Sequence, residues 1–352
     1  MEKKSYIKIK ILKDESNTKK KKIPGIIFAR ASCSLGIVIF HFFAHSRGEF
    51  KLFYNTANTS FGYIFVTTFF CISGYVLNYN YSKILSFKGF YFKRWKSIFP
   101  SYYICFSYFY LRNVFYTRKL LYNGHWTKLF LTLVGLDGYL YYRIKSYYLV
   151  GEWFLGAIII IYTLYPLLSW TIKKHNIFVY FVICLFYAFI YKIKYFTISD
   201  QRNIITCIIS FYFGMNSIKY RHFFFENKKT LILLFLILLI LSCIKVSSFI
   251  LIQQIQGFSF FIVLVNIGQY FYQTTNNKVI IKISNLSYSI YLFHHRIIFD
   301  IFNVNNPKEW YMKFVLLSLT ILLTLVSAEI HLMVVNSIIN SNLFKNFESL
   351  FI

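Results

Sequence analysis

The chain is short of charge, and of acid above all. Aspartate and glutamate supply 12 of its 352 residues, and charged residues together make up 14% against 57% hydrophobic. That is too little polar surface to cover a water-soluble globule of this length, so lipid is the expected solvent for most of it. Only 4 prolines and 14 glycines are present. No Pro/Gly-rich linker marks off a soluble domain and no internal repeat is visible, so one continuous membrane domain is expected. The alternation of apolar and polar residues over about ten positions that defines an outer-membrane barrel strand is missing too. The run 231–244 is apolar on every face instead. The six cysteines, at 33, 71, 105, 184, 207 and 243, stand singly without metal-type spacing; packing is their expected use, and no metal site is expected. A cleavable signal is not expected, because the first apolar segment is long and follows a basic tail with no small-residue cleavage site.

What the chain does have is a succession of apolar runs, each long enough to cross a hydrocarbon core of roughly 30 Å as a helix. Spans are expected near 24–46, 60–80, 98–112, 151–171, 177–196, 203–219, 229–246, 248–270, 284–304 and 311–336. The fold class is therefore all-α and polytopic, with about ten transmembrane helices. The stretch 128–142, interrupted by Gly135, Asp137 and Gly138, reads as a re-entrant or interfacial piece. Lysines at 3, 4, 8, 10, 13 and 19–22 crowd the N-terminal tail, and positive charge near a span end marks the cytoplasmic side. Ten spans then return the C-terminus to the same side, with Lys83, Lys88, Lys93, Arg94 and Lys96 on an inner loop and 113–150 outside. This divides the chain into a basic cytoplasmic tail (1–23), a transmembrane domain (24–340) and a short cytoplasmic tail (341–352), in a multi-pass protein of the cell membrane. A net charge of +27 could suggest nucleic acid, but the cations lie between hydrophobic spans. Topology and the lipid bilayer explain them better, and no nucleic-acid partner is expected.

Ionisable groups inside spans are costly, and so they are the first candidates for chemistry. Arg30 and His41 are eleven positions apart, which is three helical turns plus about 20°, so they share a face of the first span about 16 Å apart. One cavity could contain both. On the residues alone another arrangement stays open, with Arg30 snorkelling to headgroups and His41 bonded to a neighbouring helix. The connection 113–150 is rich in tyrosine and also holds His125 and Trp126; such rings suit sugars, and equally the headgroup belt.

Five elements in order carry a resemblance. They are Arg30 and His41; Phe69-Phe70-Cys71-Ile72-Ser73-Gly74-Tyr75; Lys93-Arg94 leading to Pro100-Ser101-Tyr102-Tyr103; Glu152-Trp153 with Tyr165-Pro166-Leu167-Leu168; and Leu286-Ser287-Tyr288-Ser289-Ile290-Tyr291-Leu292-Phe293-His294-His295. Together they resemble acyltransferase family 3, the membrane O-acyltransferases acting on surface polysaccharides. The sequence departs from that pattern at Ser97, Tyr147 and Thr67-Thr68.

The resemblance implies transfer of acetyl from acetyl-CoA, the acyl donor, to a hydroxyl of a sugar or glycan acceptor. A capsular-type polysaccharide or its lipid-linked repeat unit is the expected acceptor. Arg94 and Lys93 would hold the cofactor's phosphates, and Arg30 would extend the basic path inward. His41 suits a base with a pKa near neutral, or a covalent acyl carrier. Glu152 would bond sugar hydroxyls or orient a base. Adjacent helical positions, about 100° apart, cannot both face one cavity fully, and of His294 and His295 the resemblance favours His294, which occupies the motif position. Ser73 could donate to the carbonyl oxygen, though Ser-Gly is also a helix-packing pair. The rival functions are a polysaccharide flippase or transporter, and a polymerase, neither of which transfers acyl groups.

Overall fold

The computed structural model describes residues 23–46, 55–81, 86–122, 124–174, 176–193, 197–246, 249–274, 278–304 and 309–350. The lysine-rich tail and Lys83 lie outside these. Among the described residues the chain is helical, with no strand and one isolated bridge, Asn55 to Ser60.

Each of the ten apolar segments coincides with a helix. These are α1 (Pro24–His45), α2 (Phe61–Tyr81), α3 (Phe87–Thr117), α6 (Glu152–Lys174), α7 (Asn176–Ile193), α8 (Ile204–Ser217), α9 (Lys228–Cys243), α10 (Ile250–Thr274), α11 (Lys278–Val304) and α12 (Trp310–Asn340). Between α3 and α6 lie only short pieces, α4 (Leu129–Leu133) and α5 (Asp137–Leu140), and α13 (Asn342–Ser349) closes the described chain. Five helices, α1, α2, α6, α10 and α12, are long and apolar enough to cross a membrane. The others fall short for local reasons: α9 has 16 residues, and the stretch of α3 beyond its basic first turns is lowered in hydropathy by Tyr102, Tyr103, Tyr108 and Tyr110 together with Pro100 and Arg112.

The cations at 88–96 were expected on a loop, and they sit on the first turns of α3. Its helix begins at Phe87 because Ser86 caps it, the Ser86 hydroxyl accepting from the Gly89 N–H at 3.1 Å. Pro100 is carried inside the same helix.

Helix α1 packs against α2, α10 and α11, and α2 packs on α8. That last contact is backbone to backbone. A Cβ on Gly74 would lie 2.0 Å from the Phe211 carbonyl oxygen, and one on Gly214 would lie 1.9 Å from that of Cys71. The Gly of the Ser-Gly element therefore does the close-packing work that small residues do between helices in lipid.

The piece between α3 and α6 is anchored by Asp137, 1% exposed. Its carboxylate accepts from the Gly138 N–H at 2.9 Å, the Thr132 hydroxyl at 3.2 Å and the Tyr102 hydroxyl at 3.2 Å. Three donors make a buried acid tolerable, and one of them, on α3, ties the connection to the bundle.

Candidate active site

A cavity of about 390 Å³ runs between α1, α2, α6 and α11. Arg30 and His41 both line it, as the eleven-residue spacing allows, and Ser73, Glu152 and His294 line it too. The Ser73 side of the Ser-Gly pair therefore faces the cavity while Gly74 packs.

Glu152 is the first residue of α6, a position where the helix dipole favours an anion. Gly151 before it has φ +83°, a left-handed conformation that favours glycine. Gly138 lies so close behind that a Cβ there would meet the Glu152 carbonyl carbon and oxygen at 2.7 Å. From the other side the Tyr291 hydroxyl accepts the Leu155 N–H at 3.1 Å, satisfying one of the orphan donors of the first turn. Tyr288, three residues earlier, donates to the Ile98 carbonyl at 3.2 Å. The tyrosines of the Ser-Tyr-x-x-Tyr element thus hold α11 to α3 and to the start of α6, placing the histidines that follow beside Glu152.

Those histidines form a cluster. Nε2 of His295 is 2.9 Å from Nδ1 of His41 and 2.9 Å from Oε1 of Glu152. The Glu152 contact has the distance of an ion pair but not the angle of a hydrogen bond, and Oε1 is buried without a hydrogen-bond partner. The His41 ring centroid lies 4.2 Å from that of His295 and 5.2 Å from that of His294. His294 lines the cavity, whereas His295 lies against His41 and Glu152. The roughly 100° between neighbours puts one ring on the cavity and the other against His41 and Glu152. His295 is the residue that sequence reasoning set aside, and the signal for it was the His-His pair itself.

Hydrogen bonds fix the tautomer of His294. Its Nδ1 faces the carbonyl oxygens of Tyr291 at 2.8 Å and Ile290 at 3.2 Å, which can only accept, so Nδ1 carries the proton and Nε2 a lone pair. That Nε2 is buried and has no protein partner. For His295 the carboxylate favours a proton on Nε2, because a lone pair there would face an anion. His295 then donates to Nδ1 of His41, which leaves the proton of His41 on Nε2.

The expected cofactor cations diverge. Arg94 Nη2 donates to the Tyr81 hydroxyl at 3.1 Å, and the guanidinium carbon lies 5.0 Å from the Tyr81 ring and 5.8 Å from the Tyr162 ring. Its Nε is buried and unpartnered. Tyr162 and Ser97 line the cavity, so Arg94 stands behind the wall at the same end as Arg30. Lys93 is exposed on α3 and is not part of the lining. Lys96 is engaged elsewhere, paired with Glu348 of α13 at 2.6 Å.

His41, Glu152, His294 and His295 also each offer a ligand atom within 4.8 Å of the others, a grouping that could hold a metal ion. Cysteine spacing gave no hint of it. Two imidazole nitrogens on one tetrahedral zinc stand about 3.3 Å apart, from bonds of about 2.0–2.1 Å. The 2.9 Å between His41 and His295 is a hydrogen-bond distance instead, and fits a proton between the rings better than a shared ion.

Two imidazoles and a carboxylate line the cavity, with the His295 ring against His41 and Glu152, and the surrounding helices α1, α2 and α6 are apolar enough for lipid, as in a membrane protein. The model of acyltransferase family 3, described as an acyltransferase domain, matches residues 23–329, and the chain belongs to that family. It is an acyltransferase. No curated protein and no solved structure matches it.

Proposed function

We propose that the protein is a multi-pass O-acetyltransferase of the cell membrane, with about ten spans and both termini in the cytoplasm. It takes acetyl from cytoplasmic acetyl-CoA and passes it to a hydroxyl of a cell-surface polysaccharide, of capsular type, or of its lipid-linked repeat unit. The observation that carries this is the single cavity joining Arg30, near the basic end of α1, to the histidine and glutamate cluster near the other end. A donor and an acceptor arriving from opposite sides could meet within it. A proton-coupled carrier could also use such a cluster, and it is the match to the acyltransferase domain over residues 23–329 that favours acyl transfer over a carrier or a polymerase.

Arg94 and Arg30 supply positive charge for the phosphates and the thioester end of the cofactor, and Lys93 is an outlying contact on the surface. A thioester is already activated, so the remaining task is to remove the acceptor's proton as its oxygen attacks. His294 lines the cavity and its Nε2 has no protein partner, so its lone pair is the one free for that role. His41, first expected as the base, presents Nε2–H under the same tautomer logic, so it donates to the carbonyl oxygen as charge develops there. His295 and Glu152 hold His41 in that tautomer. The acceptor oxygen bonds to the acetyl carbon, the carbon–sulfur bond breaks, the proton goes to His294, and the thiolate of coenzyme A leaves and is reprotonated.

Transfer of labelled acetyl from acetyl-CoA by the purified protein, together with O-acetyl signals in the NMR spectra of surface glycans with and without the gene, tests the proposal. Glycans equally acetylated in both strains would refute the acceptor assignment. Failure to consume acetyl-CoA with any glycan would refute the donor.

A further inference from the structure

We propose that the mouth of the cavity beside Glu152 is a subsite for an anionic acceptor, a sugar unit carrying a carboxylate or a phosphate. Trp153 is its stacking face and Arg202 its charge partner. The inference rests on the transferase reading above and narrows its acceptor.

Two observations support it independently. The first is local. Arg202 sits on a short 3-10 turn ahead of α8 and lines the cavity together with Gln201 and Trp153. Its guanidinium carbon is 5.7 Å from the centre of the Trp153 indole. The residue is exposed, and among the described residues no carboxylate pairs with it. Gln201 donates to the Gln253 side chain at 2.9 Å, which anchors the turn to α10. A guanidinium set over the indole, 5.7 Å from its centre, offers a fork of N–H groups to a planar or tetrahedral anion, while a pyranose ring covers the part of the indole that the guanidinium leaves open. Trp153 directly follows Glu152, so a sugar stacked there lies next to the proposed transfer site.

The second observation is the charge of this end of the bundle. The connection 113–150 carries Arg118, Lys119, Lys128, Arg143 and Lys145 against a single acid, Asp137, and Asp137 is buried on its own donors. Arg112 is matched by Asp300 through two bonds of 2.6 Å, but Arg296 donates to a carbonyl, that of Leu149, at 3.0 Å. In the proposed topology this is the outer side, where the bias that gathers cations at the cytoplasmic ends works in reverse. Uncompensated positive charge at the end of the bundle where α6 begins concentrates an anionic substrate there.

The test uses the full-length protein in neutral detergent with three oligosaccharides: one containing uronic acid, its carboxyl-reduced counterpart, and one containing phosphodiester. Equilibrium binding and transfer from labelled acetyl-CoA are measured for wild type, Arg202→Gln and Arg202→Lys. Wild type should bind one of the acidic oligosaccharides ten- to a hundredfold more tightly than the reduced one, the range expected of charge-assisted contacts. Whichever acid is preferred separates carboxylate from phosphate. Arg202→Gln should bring that ratio close to one, and Arg202→Lys should retain part of it. Equal binding of acidic and reduced oligosaccharides by wild type, or an acidic preference that survives Arg202→Gln, overturns the subsite. Should Arg202→Gln fail to fold, the wild-type ratio and Arg202→Lys decide. An acidic preference in binding without transfer to any of the three supports the subsite and removes the transferase reading, so the two fail separately.

Discussion

At the scale of single residues the proposed reaction divides the cluster's labour by tautomer. His41→Ala and His294→Ala should each lower acetyl transfer per folded molecule by about 10²–10⁴-fold, the loss usual for a general acid or base, while acetyl-CoA binding persists. Turnover above about a tenth of wild type in either variant would remove that residue from the chemistry. Chelation separates proton transfer from metal chemistry at the same four side chains: activity should survive prolonged treatment with a strong zinc chelator, and a loss restored by zinc would instead make the cluster a metal centre. Arg94→Ala should weaken acetyl-CoA binding about ten- to a hundredfold, read by calorimetry on the purified protein. Arg30 and His41 stood out in the sequence because charge inside an apolar run needs a reason, and Glu152 and His294 through the family pattern; the fold sets all four on one cavity. His295 was not legible, since only the packing of α11 between α1 and α6 decides which of two neighbouring rings meets the carboxylate. Arg202 was missed for another reason: it lies in a short polar connection of ordinary composition, and nothing local marks it as facing a cavity.

At the scale of elements, helix positions were readable from hydropathy while helix limits were not. The span expected at 98–112 is the middle of a 31-residue helix, because a serine cap and a helix-compatible basic stretch extend α3 toward its N-terminus regardless of where lipid begins. The connection 128–142 was recognisable as something other than a span by its glycines and Asp137. Its task, buttressing the start of α6, depends on contacts made across the fold. Gly138→Ala tests that task. Its Cβ would meet backbone atoms of Glu152 at 2.7 Å, which cannot yield as a flexible side chain can, so stability should fall by about 1–3 kcal/mol and transfer should fall with it. Gly89→Ala is the comparison: on α3 its Cβ would meet nothing closer than Ser86 at 3.6 Å, and thermal stability in detergent should be unchanged or slightly raised. Equal behaviour of the two variants would show that the connection does not support α6.

At the scale of the whole molecule, the distribution of charge has to be reconciled with a bilayer. In the proposed topology, ten spans and a lysine-rich tail put the start of α3 in the cytoplasm and the 113–150 connection outside, an orientation that would bring acetyl-CoA to Arg94 and Arg30 and a surface glycan to Trp153 and Arg202. The orientation is an independent claim, because the cavity would have the same shape either way up and only the topology decides which substrate enters at which end. Single-cysteine variants at Lys88, on α3, and at Leu120, beyond it, can decide, in a background whose natural cysteines are replaced. Four of those six, Cys33, Cys71, Cys105 and Cys207, are buried, whereas Cys184 and Cys243 are exposed and would contribute background labelling if kept. A membrane-impermeant thiol reagent should label position 120 in intact cells and reach position 88 only after permeabilisation. Both sites are surface positions, Lys88 and Leu120 being exposed, so failure to label would reflect the membrane barrier and not burial in protein. Labelling of 88 and protection of 120 in intact cells would invert the protein, putting the histidine cluster near the cytoplasmic face. The charge at the Arg202 mouth would then follow the positive-inside rule, and no outer anionic acceptor would be needed to account for it.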